Sequence, residues 1–373
     1  MRVILAAGGT AGHINPALAI ADKIKTVFPE SEILFVGAPD GMEATLVKKA
    51  GYNFRSFKMA GLQRKISVNN LIRNAKAAYY YITARSNAKK LLKEFRPDVV
   101  IGTGGYVSAP VLLSAARLGI KTATHESNSL PGVTTKLLSK NVDRVFVVDE
   151  AAKNRLPVQE NAIVTGNPLR NNIPIEERNE ARKRLGLPDG LTILSFGGSL
   201  GANKITEAVV ELLKWESEVG GINHIHGYGG NGREMFDGLM EKEGVKRTDR
   251  MILKESIDNM YTCMCAADII VSRAGAMTLT ELKAIGRASV LIPFPQAAEN
   301  HQYYNALSMA ESGAAILIED KDLEKTKLRE LITELSADIP KIREMENSAA
   351  ALGSANAADV IVSQIIDLVK TNA

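Results

Sequence analysis

Short apolar runs alternate with amphipathic stretches along this chain, and the pattern occurs twice. In the first half the apolar runs occupy residues 3–7, 33–36, 99–101, 122–124 and 145–148. In the second half they occupy residues 192–196, 224–226, 251–253, 269–271, 290–292 and 315–318. Buried strands that alternate with helices are typical of a parallel sheet with helices on both faces. The sequence therefore predicts an α/β protein of two Rossmann-like domains.

Turn-forming residues between the two halves indicate where the domains are joined. Gly-Asn-Pro occupies residues 166–168 and Asn-Asn-Ile-Pro occupies residues 171–174, and such clusters are typical of linkers. An amphipathic segment at residues 355–369 predicts a last helix, which we expect to pack back on the first domain. The predicted parts are a first domain at residues 1–165, a second at residues 166–353 and a C-terminal helix at residues 354–373.

An internal repeat indicates that the two domains share one design. Residues 5–12 and 194–201 both fit Leu-x-x-Gly-Gly-[Ser/Thr]-x-Gly, and each closes the first strand of its half. A glycine turn followed by a helix N-terminus can hold a phosphate through backbone N–H groups. Because each copy carries a hydroxyl, Thr10 in one and Ser199 in the other, the pair favours phosphate or sugar binding over a simple tight turn. Ligands of such sheets lie at the carboxyl ends of the strands.

A third glycine cluster, at residues 102–110, also follows a strand and precedes a helix. None of the three clusters is Gly-x-Gly-x-x-Gly or a P-loop. After the second strand stands Gly37, where a dinucleotide-binding domain would place an acidic residue. A dehydrogenase is therefore the weaker interpretation.

Two of the five histidines lie where chemistry is expected in such folds. His13 follows the first glycine turn, and His125, with Glu126 and Asn128, ends another strand of the same half. A histidine can act as a general base near neutral pH. His224 and His226 share a strand face without a third ligand at zinc spacing, so we interpret them as structural.

Nothing in the sequence predicts a metal site. Cys263 and Cys265 are interpreted as packing residues in a reduced cytosol. No Asp-x-Asp motif that would hold a divalent cation on a sugar diphosphate is present. We expect no cofactor and no metal requirement, with helix dipoles and an arginine stabilising a leaving diphosphate.

The stretch at residues 272–281 follows a predicted strand and ends on Glu281. Thr278 or a neighbour is expected to cap a helix that carries Glu281 in its first turn. Such a glutamate either stabilises the helix dipole or accepts both ribose hydroxyls of a nucleotide. The residues alone leave these two alternatives open.

A basic segment at residues 63–96 carries nine lysines and arginines against one acid, Glu94. Tyr80 and Tyr81 lie off its apolar stripe, beside basic residues. This combination suits an anionic membrane surface. Nucleic acid is the competing polyanion, but no recognised nucleic-acid module accompanies the charge. No apolar run approaches the roughly 18 residues of a transmembrane helix, so we expect a cytoplasmic protein that is peripheral on a membrane.

The motifs occur together in one order, and as a set they are specific. They lie at residues 8–13, 104–108, 125–128, 166–170, 197–202 and 272–281. Across essentially its whole length the chain resembles the MurG family, the N-acetylglucosaminyltransferases of peptidoglycan lipid-intermediate synthesis. The resemblance implies a GT-B fold with two parallel sheets facing a central cleft. It also implies a location on the inner face of the bacterial cell membrane and protein partners in cell-wall synthesis.

The resemblance assigns roles to single positions. UDP-N-acetylglucosamine would contact Thr10, Ala11, Gly12, Asn128, Arg170, Ser199, Ile257, Ala276, Met277, Thr278, Leu279, Thr280, Glu281, Gln302 and Asn305. Among these, Ile257 and Ala276 would lie by the uracil and Glu281 would take the ribose hydroxyls. The acceptor side would include Gly104, Gly105, Tyr106, His125 and Glu126, with His13 as the base. The chain departs from the family pattern at Ala11, where glycine is usual.

The implied reaction is an inverting transfer of N-acetylglucosamine from UDP to the C4 hydroxyl of undecaprenyl-diphosphate-linked N-acetylmuramoyl pentapeptide, lipid I, giving lipid II. Two alternatives remain open. One is a UDP-N-acetylglucosamine 2-epimerase, which has the same twin architecture. The other is a non-catalytic nucleotide-sugar sensor at the membrane.

Overall fold

The computed structural model describes residues 1–58, 68–170, 174–198, 201–230, 232–353 and 356–370, with side chains in the helix at 68–95 described from residue 80 onward. The chain forms two compact units. The N-terminal unit comprises Met1–Asn172 and Ser354–Ala373, and the C-terminal unit comprises Ile173–Gly353. The division lies seven residues after the boundary predicted at residue 165 (172 minus 165), so residues 166–170 fall in the first unit and not in the second.

Strands and helices alternate through both units. The strands are β1 Arg2–Ala6, β2 Glu32–Gly37, β3 Asn53–Ser56, β4 Val99–Gly102, β5 Lys121–Glu126, β6 Arg144–Val147, β7 Ala162–Val164, β8 Leu191–Phe196, β9 Ile222–Gly227, β10 Met251–Lys254, β11 Ile269–Ser272, β12 Ala288–Leu291 and β13 Ala315–Leu317. The helices are α1 Ala11–Val27, α2 Met42–Lys49, α3 Val68–Phe95, α4 Ser108–Arg117, α5 Val133–Leu138, α6 Glu150–Asn154, α7 Arg178–Leu185, α8 Asn203–Val219, α9 Arg233–Lys242, α10 Met260–Ala266, α11 Ala276–Ile285, α12 His301–Glu311, α13 Lys327–Ala337, α14 Ile339–Ala351 and α15 Ala357–Lys370.

Each unit contains one parallel sheet, and the two sheets follow the same winding. The order is β3-β2-β1-β4-β5-β6-β7 in the N-terminal unit and β10-β9-β8-β11-β12-β13 in the C-terminal unit. The chain reverses its direction of winding between β1 and β4, and again between β8 and β11. Ligands of such sheets bind beyond the carboxyl ends of the strands at these switch points. We therefore expect ligand-binding residues in the loops that follow β1, β4, β8 and β11.

Two strands in the structure, β3 and β7, were not predicted from the sequence. Both are sheet edges, and β3 exposes most of its four residues, Asn53–Ser56. An edge strand that faces solvent needs no continuous apolar run, so β3 lacks the signal by which the buried strands are found. β7 is apolar but only three residues long.

Apolar side chains from alternate strand positions form the cores. In β1, Val3 and Leu5 pack with α1, whereas Ile4 and Ala6 pack on the opposite face of the sheet with α4. Helix α15 contributes the fully buried Ile361 to the α1 side of this unit. In the C-terminal unit a core lies between the sheet and helices α8 and α13. The cores fix the strands, and the strand ends then fix the loops.

Candidate active site

Two glycine loops meet backbone to backbone at the carboxyl edge of the N-terminal sheet. β1 ends at Ala6 and β4 at Gly102, and these residues are paired in register. Gly104 and Gly105 follow with φ angles of 108° and 79°, a region that L side chains rarely adopt. A Cβ atom on Gly105 would collide with the carbonyl oxygen of Gly8. The close approach therefore requires glycine at position 105.

Buried hydroxyls hold the two loops together. Ser108 Oγ lies 2.8 Å from the carbonyl oxygens of both Ala6 and Gly104, and it accepts the Gly104 N–H at 3.2 Å. Thr103 Oγ1 donates to the carbonyl oxygen of His13 at 2.7 Å. These bonds join the loop after β4 to the end of β1 and to the first turn of α1.

His13 lies at this junction, in the first turn of α1. Its Nδ1 atom is 3.0 Å from the carbonyl oxygen of Gly8 and 3.4 Å from Thr10 Oγ1. A carbonyl oxygen can only accept, so Nδ1 carries the hydrogen and Nε2 keeps its lone pair in the neutral ring. A Cβ atom on Gly104 would lie 2.9 Å from Nε2, so glycine at that position leaves room for the ring. The geometry gives His13 a nitrogen that can accept a proton.

His125 is differently placed. It is fully buried at the end of β5, with Nε2 3.1 Å from the Gly166 carbonyl oxygen and Nδ1 3.4 Å from Ser127 Oγ. Burial lowers the pKa of His125 to about 4, against the smaller opposing effect of the bond to Gly166. The ring is therefore neutral at neutral pH and both of its nitrogens are engaged. His125 holds the residue 166 turn against β5.

Glu126 is also engaged by protein groups. Its Oε1 accepts from the backbone and the side-chain nitrogen of Asn128, both at 3.0 Å. Its Oε2 accepts from the Gly132 N–H at 3.0 Å and from Thr135 Oγ1 at 2.6 Å. Four donors on one buried carboxylate fix the loop after β5 and the position of Asn128.

Tyr106 stands beside the first glycine loop. A Cβ atom on Gly9 would lie 3.8 Å from Tyr106 Cε1. Burial, and then the nearby carboxylate of Glu43, raise the pKa of Tyr106 above its usual value. The phenol is therefore protonated at neutral pH and can donate a hydrogen bond.

Ala11 fits its place without strain. It is the first residue of α1, after the extended Thr10, and its backbone is helical. Among the described residues, positive φ at a non-glycine position occurs at Arg96, Glu299 and Asn300. The exchange of glycine for alanine at position 11 therefore falls where a left-handed backbone is not needed.

Arg170 lies away from the glycine loops of its own unit. Its Nε donates to Asp22 Oδ2 at 2.8 Å, and the Tyr52 hydroxyl donates to Asp22 Oδ1 at 2.6 Å. Asp22 lies eleven residues beyond the start of α1, about 16 Å along the helix axis. The structure thus does not bring Arg170 to Thr10 or His13.

The second glycine turn repeats the close backbone approach in the C-terminal unit. Gly198 and Gly201 have φ angles of 95° and 87°. A Cβ atom on Gly201 would collide with the carbonyl oxygen of Tyr228, in the loop after β9. Ser199, the predicted phosphate contact in this turn, lies outside the described residues.

Helix α11 begins earlier than predicted. Its N-cap is Gly275, three residues before Thr278, and its first residue is Ala276, so the expectations of a cap at Thr278 or a neighbour and of Glu281 in the first turn are wrong. Glycine adopts the N-cap backbone conformation but has no side chain to cap the helix. It is therefore a weaker sequence signal for a helix start than the hydroxyl of Thr278. The first turn has no acid and no side-chain cap, so its N–H groups remain open to an anion.

The predicted donor residues of α11 divide by exposure. Ala276, Met277 and Thr278 are partly exposed at the helix start. Leu279 and Thr280 are buried, and the Thr280 hydroxyl donates to the carbonyl oxygen of Ala276 at 2.9 Å. The side chains of Leu279 and Thr280 therefore face the domain interior.

Glu281 lies in the second turn of α11, against α10. Its Oε1 accepts from the Tyr261 hydroxyl at 3.2 Å, and its Oε2 has no hydrogen bond to another described residue. Burial raises the pKa of Glu281, an effect that the Tyr261 bond partly opposes. Burial and Glu281 together raise the pKa of Tyr261 to about 12. A carboxylate oxygen thus remains available to a ligand hydroxyl.

Three further predicted residues lie at the same edge of this sheet. Ile257 packs on Gly227, where a Cβ atom would lie 3.2 Å from Ile257 Cδ1. Asn305 donates to the Ala274 carbonyl oxygen at 3.3 Å, and Gln302 accepts the Phe294 N–H at 2.9 Å. The carboxyl edge of the sheet therefore brings Ile257, Gln302 and Asn305 to the loops after β9, β11 and β12.

Two residues at these edges were missed by the sequence analysis. Arg273, directly after β11, donates to the carbonyl oxygens of Ile292 and Pro293 at 3.2 and 3.0 Å and pairs with Asp320 at 2.6 Å. It therefore holds the loop after β12. The second is Glu43, buried at the start of α2. Arg273 binds residues about 20 positions away, and Glu43 binds Gly9 from 34 positions away as well as the nearby Ala38, so no local pattern indicated these long-range contacts.

His224 and His226 belong to a buried hydrogen-bond network. Ser195 Oγ lies 2.8 Å from His224 Nε2 and 2.7 Å from His226 Nδ1, and Glu216 lies 2.9 Å from His224 Nδ1. Burial, and then His224, lower the pKa of His226 to about 3. The network joins β8, β9 and α8 around the second glycine turn. Within the described ranges, no three His, Cys, Asp or Glu side chains are grouped to hold a metal ion.

The basic segment falls partly outside the described residues, which include no side chain from 59 to 79. Its described part forms a cavity of about 400 Å³ with α4. Arg85, Lys89 and Arg117 line this cavity with Tyr81 and Ile82, and Ile82 is 68% exposed. Of the helices that the structure describes, none is both long enough and apolar enough to span a membrane.

Family models match both units of the chain. The glycosyltransferase family 28 N-terminal domain matches residues 3–147, and the C-terminal domain of the same family matches residues 192–361. Curated relatives named UDP-N-acetylglucosamine--N-acetylmuramyl-(pentapeptide) pyrophosphoryl-undecaprenol N-acetylglucosamine transferase match over 97–100% of their length. The protein of Acetivibrio thermocellus is 40% identical, with 100% of both chains covered. That of Desulforamulus reducens is 42% identical, with 97% of both covered.

Solved structures show the same architecture. MurG of Acinetobacter baumannii has a TM-score of 0.79 at 28% identity, covering 98% of this chain and 99% of that chain. A UDP-GlcNAc 2-epimerase from Neisseria meningitidis, bound to UDP-GlcNAc, has a TM-score of 0.66 at 16% identity, covering 98% and 100%. The second likeness concerns the fold alone. With the two parallel sheets, these relatives confirm the predicted GT-B class.

We predict that Gly105→Ala lowers the free energy of unfolding of the N-terminal unit by more than about 2 kcal/mol. The strain of positive φ in alanine and the collision of its Cβ atom with the Gly8 carbonyl oxygen both contribute to this loss. Gly119→Ala is the matched control, since Gly119 has a φ of 71° but nothing within 4 Å of an added Cβ. We expect the control to cost about 1 kcal/mol. Urea unfolding of both variants measures the difference. Equal losses would contradict the close approach of Gly105 to Gly8.

Proposed function

Because this chain belongs to glycosyltransferase family 28 and, within it, to the MurG family, we propose that it transfers N-acetylglucosamine from UDP-N-acetylglucosamine to undecaprenyl-diphosphate-linked N-acetylmuramoyl pentapeptide. The substrates come from the names of relatives that are 40–42% identical over essentially the full length. The observation in the site that carries the chemistry is the imidazole of His13, whose Nδ1 lies 3.0 Å from the Gly8 carbonyl oxygen, so that Nε2 is the nitrogen left to accept a proton.

The N-terminal unit supplies the base and binds the acceptor in this proposal. The C4 hydroxyl of the acceptor gives its proton to Nε2 of His13 while its oxygen forms a bond to C1 of the donor sugar. The bond between C1 and the diphosphate oxygen breaks, UDP leaves with the bonding electron pair, and C1 inverts. Gly104, Gly105 and Tyr106 line the acceptor side. His125 and Glu126 act through the loops that they hold, because their polar atoms are engaged.

The C-terminal unit binds the donor. Glu281 accepts hydrogen bonds from the ribose hydroxyls through its available oxygen, and Ile257 lies beside the uracil. The diphosphate lies against helix N-termini, since the first turn of α11 has N–H groups with neither an acid nor a side-chain cap. Backbone N–H groups in this position stabilise the charge that develops on the leaving group. We therefore propose that the reaction needs no metal ion.

The cavity between α3 and α4 is proposed to hold the protein on the inner face of the bacterial membrane. Arg85, Lys89 and Arg117 are placed to meet anionic headgroups, and the exposed Ile82 can enter the interface. The Arg85 guanidinium lies 6.0 Å from the ring centroid of Tyr81, and both side chains line the cavity. Lipid-linked acceptors lie in the same surface, so this contact would bring the enzyme to its substrate.

The decisive test is UDP release from UDP-N-acetylglucosamine with EDTA present, with and without a short-chain lipid I analogue. We expect release that depends strictly on the analogue and that EDTA leaves unchanged. Turnover of the nucleotide sugar without acceptor would identify an epimerase instead. Binding without release under every condition would identify a sensor, and loss of activity in EDTA would overturn metal independence.

The Glu281 assignment predicts a specific pattern of affinities. Glu281→Ala should weaken UDP binding by about tenfold to a hundredfold, because a hydrogen bond to a charged group contributes about 1.5–3 kcal/mol. The wild type should bind 2′-deoxy-UDP more weakly than UDP, and the variant should bind both equally, as calorimetry would measure. If the variant still discriminates between the two ligands, Glu281 does not hold the ribose.

The membrane proposal predicts a location-specific effect of charge. Arg85→Glu combined with Arg117→Glu should weaken binding to vesicles that contain phosphatidylglycerol by at least about tenfold, since each cation near such a surface contributes roughly 1 kcal/mol. Lys48→Glu combined with Lys49→Glu changes the net charge equally on exposed positions of α2. Cosedimentation measures both. Equal losses in the two variants would leave only a net-charge effect and contradict the proposed surface.

A further inference from the structure

Glu43 is a buried carboxylate that the proposed mechanism does not use. It is the second residue of α2 and is 0% exposed, although it lies at the carboxyl edge of the sheet. A buried charge is stable only when its oxygens are paired. Oε1 accepts the Ala38 N–H at 2.8 Å and Oε2 accepts the Gly9 N–H at 3.2 Å. Each oxygen therefore binds one of the two loops that follow β2 and β1.

The Glu43 side chain fits because three neighbouring residues are glycines without a Cβ atom. A Cβ atom on Gly8 would lie 2.6 Å from Glu43 Oε1. Cβ atoms on Gly37 and Gly41 would collide with the Glu43 side chain as well. The carboxylate is thus enclosed by main chain on three sides. Its own position in the first turn of α2 adds the favourable field of the helix N-terminus.

One peptide group connects Glu43 to His13. The Gly9 N–H that Glu43 accepts and the Gly8 carbonyl oxygen that His13 Nδ1 approaches at 3.0 Å belong to the same peptide unit. A trans peptide is planar, so its N–H and C=O point in opposite directions. The carboxylate therefore lies at the N–H edge of this peptide group and the imidazole at its C=O edge. Hydrogen bonds in such a chain polarise one another, which makes the carbonyl oxygen a stronger acceptor.

We propose that Glu43 is a positioning residue for the transfer reaction, which orients the Gly8–Gly9 peptide so that its carbonyl oxygen holds the hydrogen of His13 on Nδ1. This fixes the ring with Nε2 unprotonated, and it stabilises the imidazolium that forms when Nε2 takes the acceptor proton. The arrangement resembles a carboxylate–histidine pair with a peptide inserted between the two groups. It rests on the proposed function of His13 as base.

Other polar groups around His13 do not supply this orientation. Thr10 Oγ1 lies 3.4 Å from Nδ1, at the limit of a hydrogen bond. His125 is neutral near neutral pH, because burial lowers its pKa to about 4. Tyr106 is held protonated by burial and by Glu43 itself. The Gly8 carbonyl oxygen is therefore the group that decides the tautomer, and Glu43 is the charge behind it.

The first measurement is the tautomer of His13 by two-bond ¹H–¹⁵N NMR of histidine-labelled protein at pH 8, with His13→Gln to assign its signals. We expect the Nδ1–H form in the wild type and a mixture of both tautomers in Glu43→Gln. A wild type with the hydrogen on Nε2, or an unchanged tautomer in the variant, would overturn the proposal. The NMR measurement needs no turnover, so its result tests the role of Glu43 even if the transferase assignment fails.

Kinetics supply the second measurement. Glu43→Gln should lower kcat by at least about tenfold, a part of what a general base contributes, with KM for UDP-N-acetylglucosamine within about threefold of wild type because the donor is bound elsewhere. Glu30→Gln, the same change at an exposed glutamate of this unit, should leave both unchanged. Glu43→Asp should recover part of kcat. Unchanged kcat, or equal effects on kcat and KM with a lowered Tm, would show a structural role only.

Discussion

Peptide groups at the carboxyl ends of the strands are brought so close that a single Cβ atom would separate them. Gly105 lies against the Gly8 carbonyl oxygen in one unit, and Gly201 lies against that of Tyr228 in the other. Without side chains, these backbone N–H and C=O groups stay free to bind ligands or to orient catalytic groups. His13 and Glu43 both bind the peptide between Gly8 and Gly9, His13 at its carbonyl oxygen and Glu43 at its N–H.

Most polar side chains at these edges hold the loops, and few remain free for chemistry. Glu126 accepts four hydrogen bonds, and both nitrogens of His125 are engaged. By contrast, Nε2 of His13 and Oε2 of Glu281 keep a lone pair for a ligand. Neighbouring polar groups whose hydrogen bonds are already made within the protein hold these atoms in place. Such preorganisation lets an active site stabilise a transition state without rearranging.

Much of the fold followed from periodicity, and the site followed from it only in part. The buried strands were predicted because parallel sheets have continuous apolar runs, whereas the polar edge strand β3 has none. The start of α11 was misplaced because Gly275 caps it without a polar side chain. By sequence pattern alone His13 and His125 were both candidates, since His13 follows the glycine turn after a predicted strand and His125 ends another predicted strand. Burial and the carbonyl oxygen of Gly166 made one of them structural.

The sequence by itself determined the fold class, the two-part organisation and the positions of the glycine turns, because apolar periodicity and glycine act within a few neighbouring residues. The tertiary structure decided which polar atoms are free. His125 meets Gly166 from 41 residues away, and Glu43 meets Gly9 from 34 residues away. Hydrogen bonds require contact within about 3 Å, and only the folded sheet brings residues so far apart in sequence to that distance.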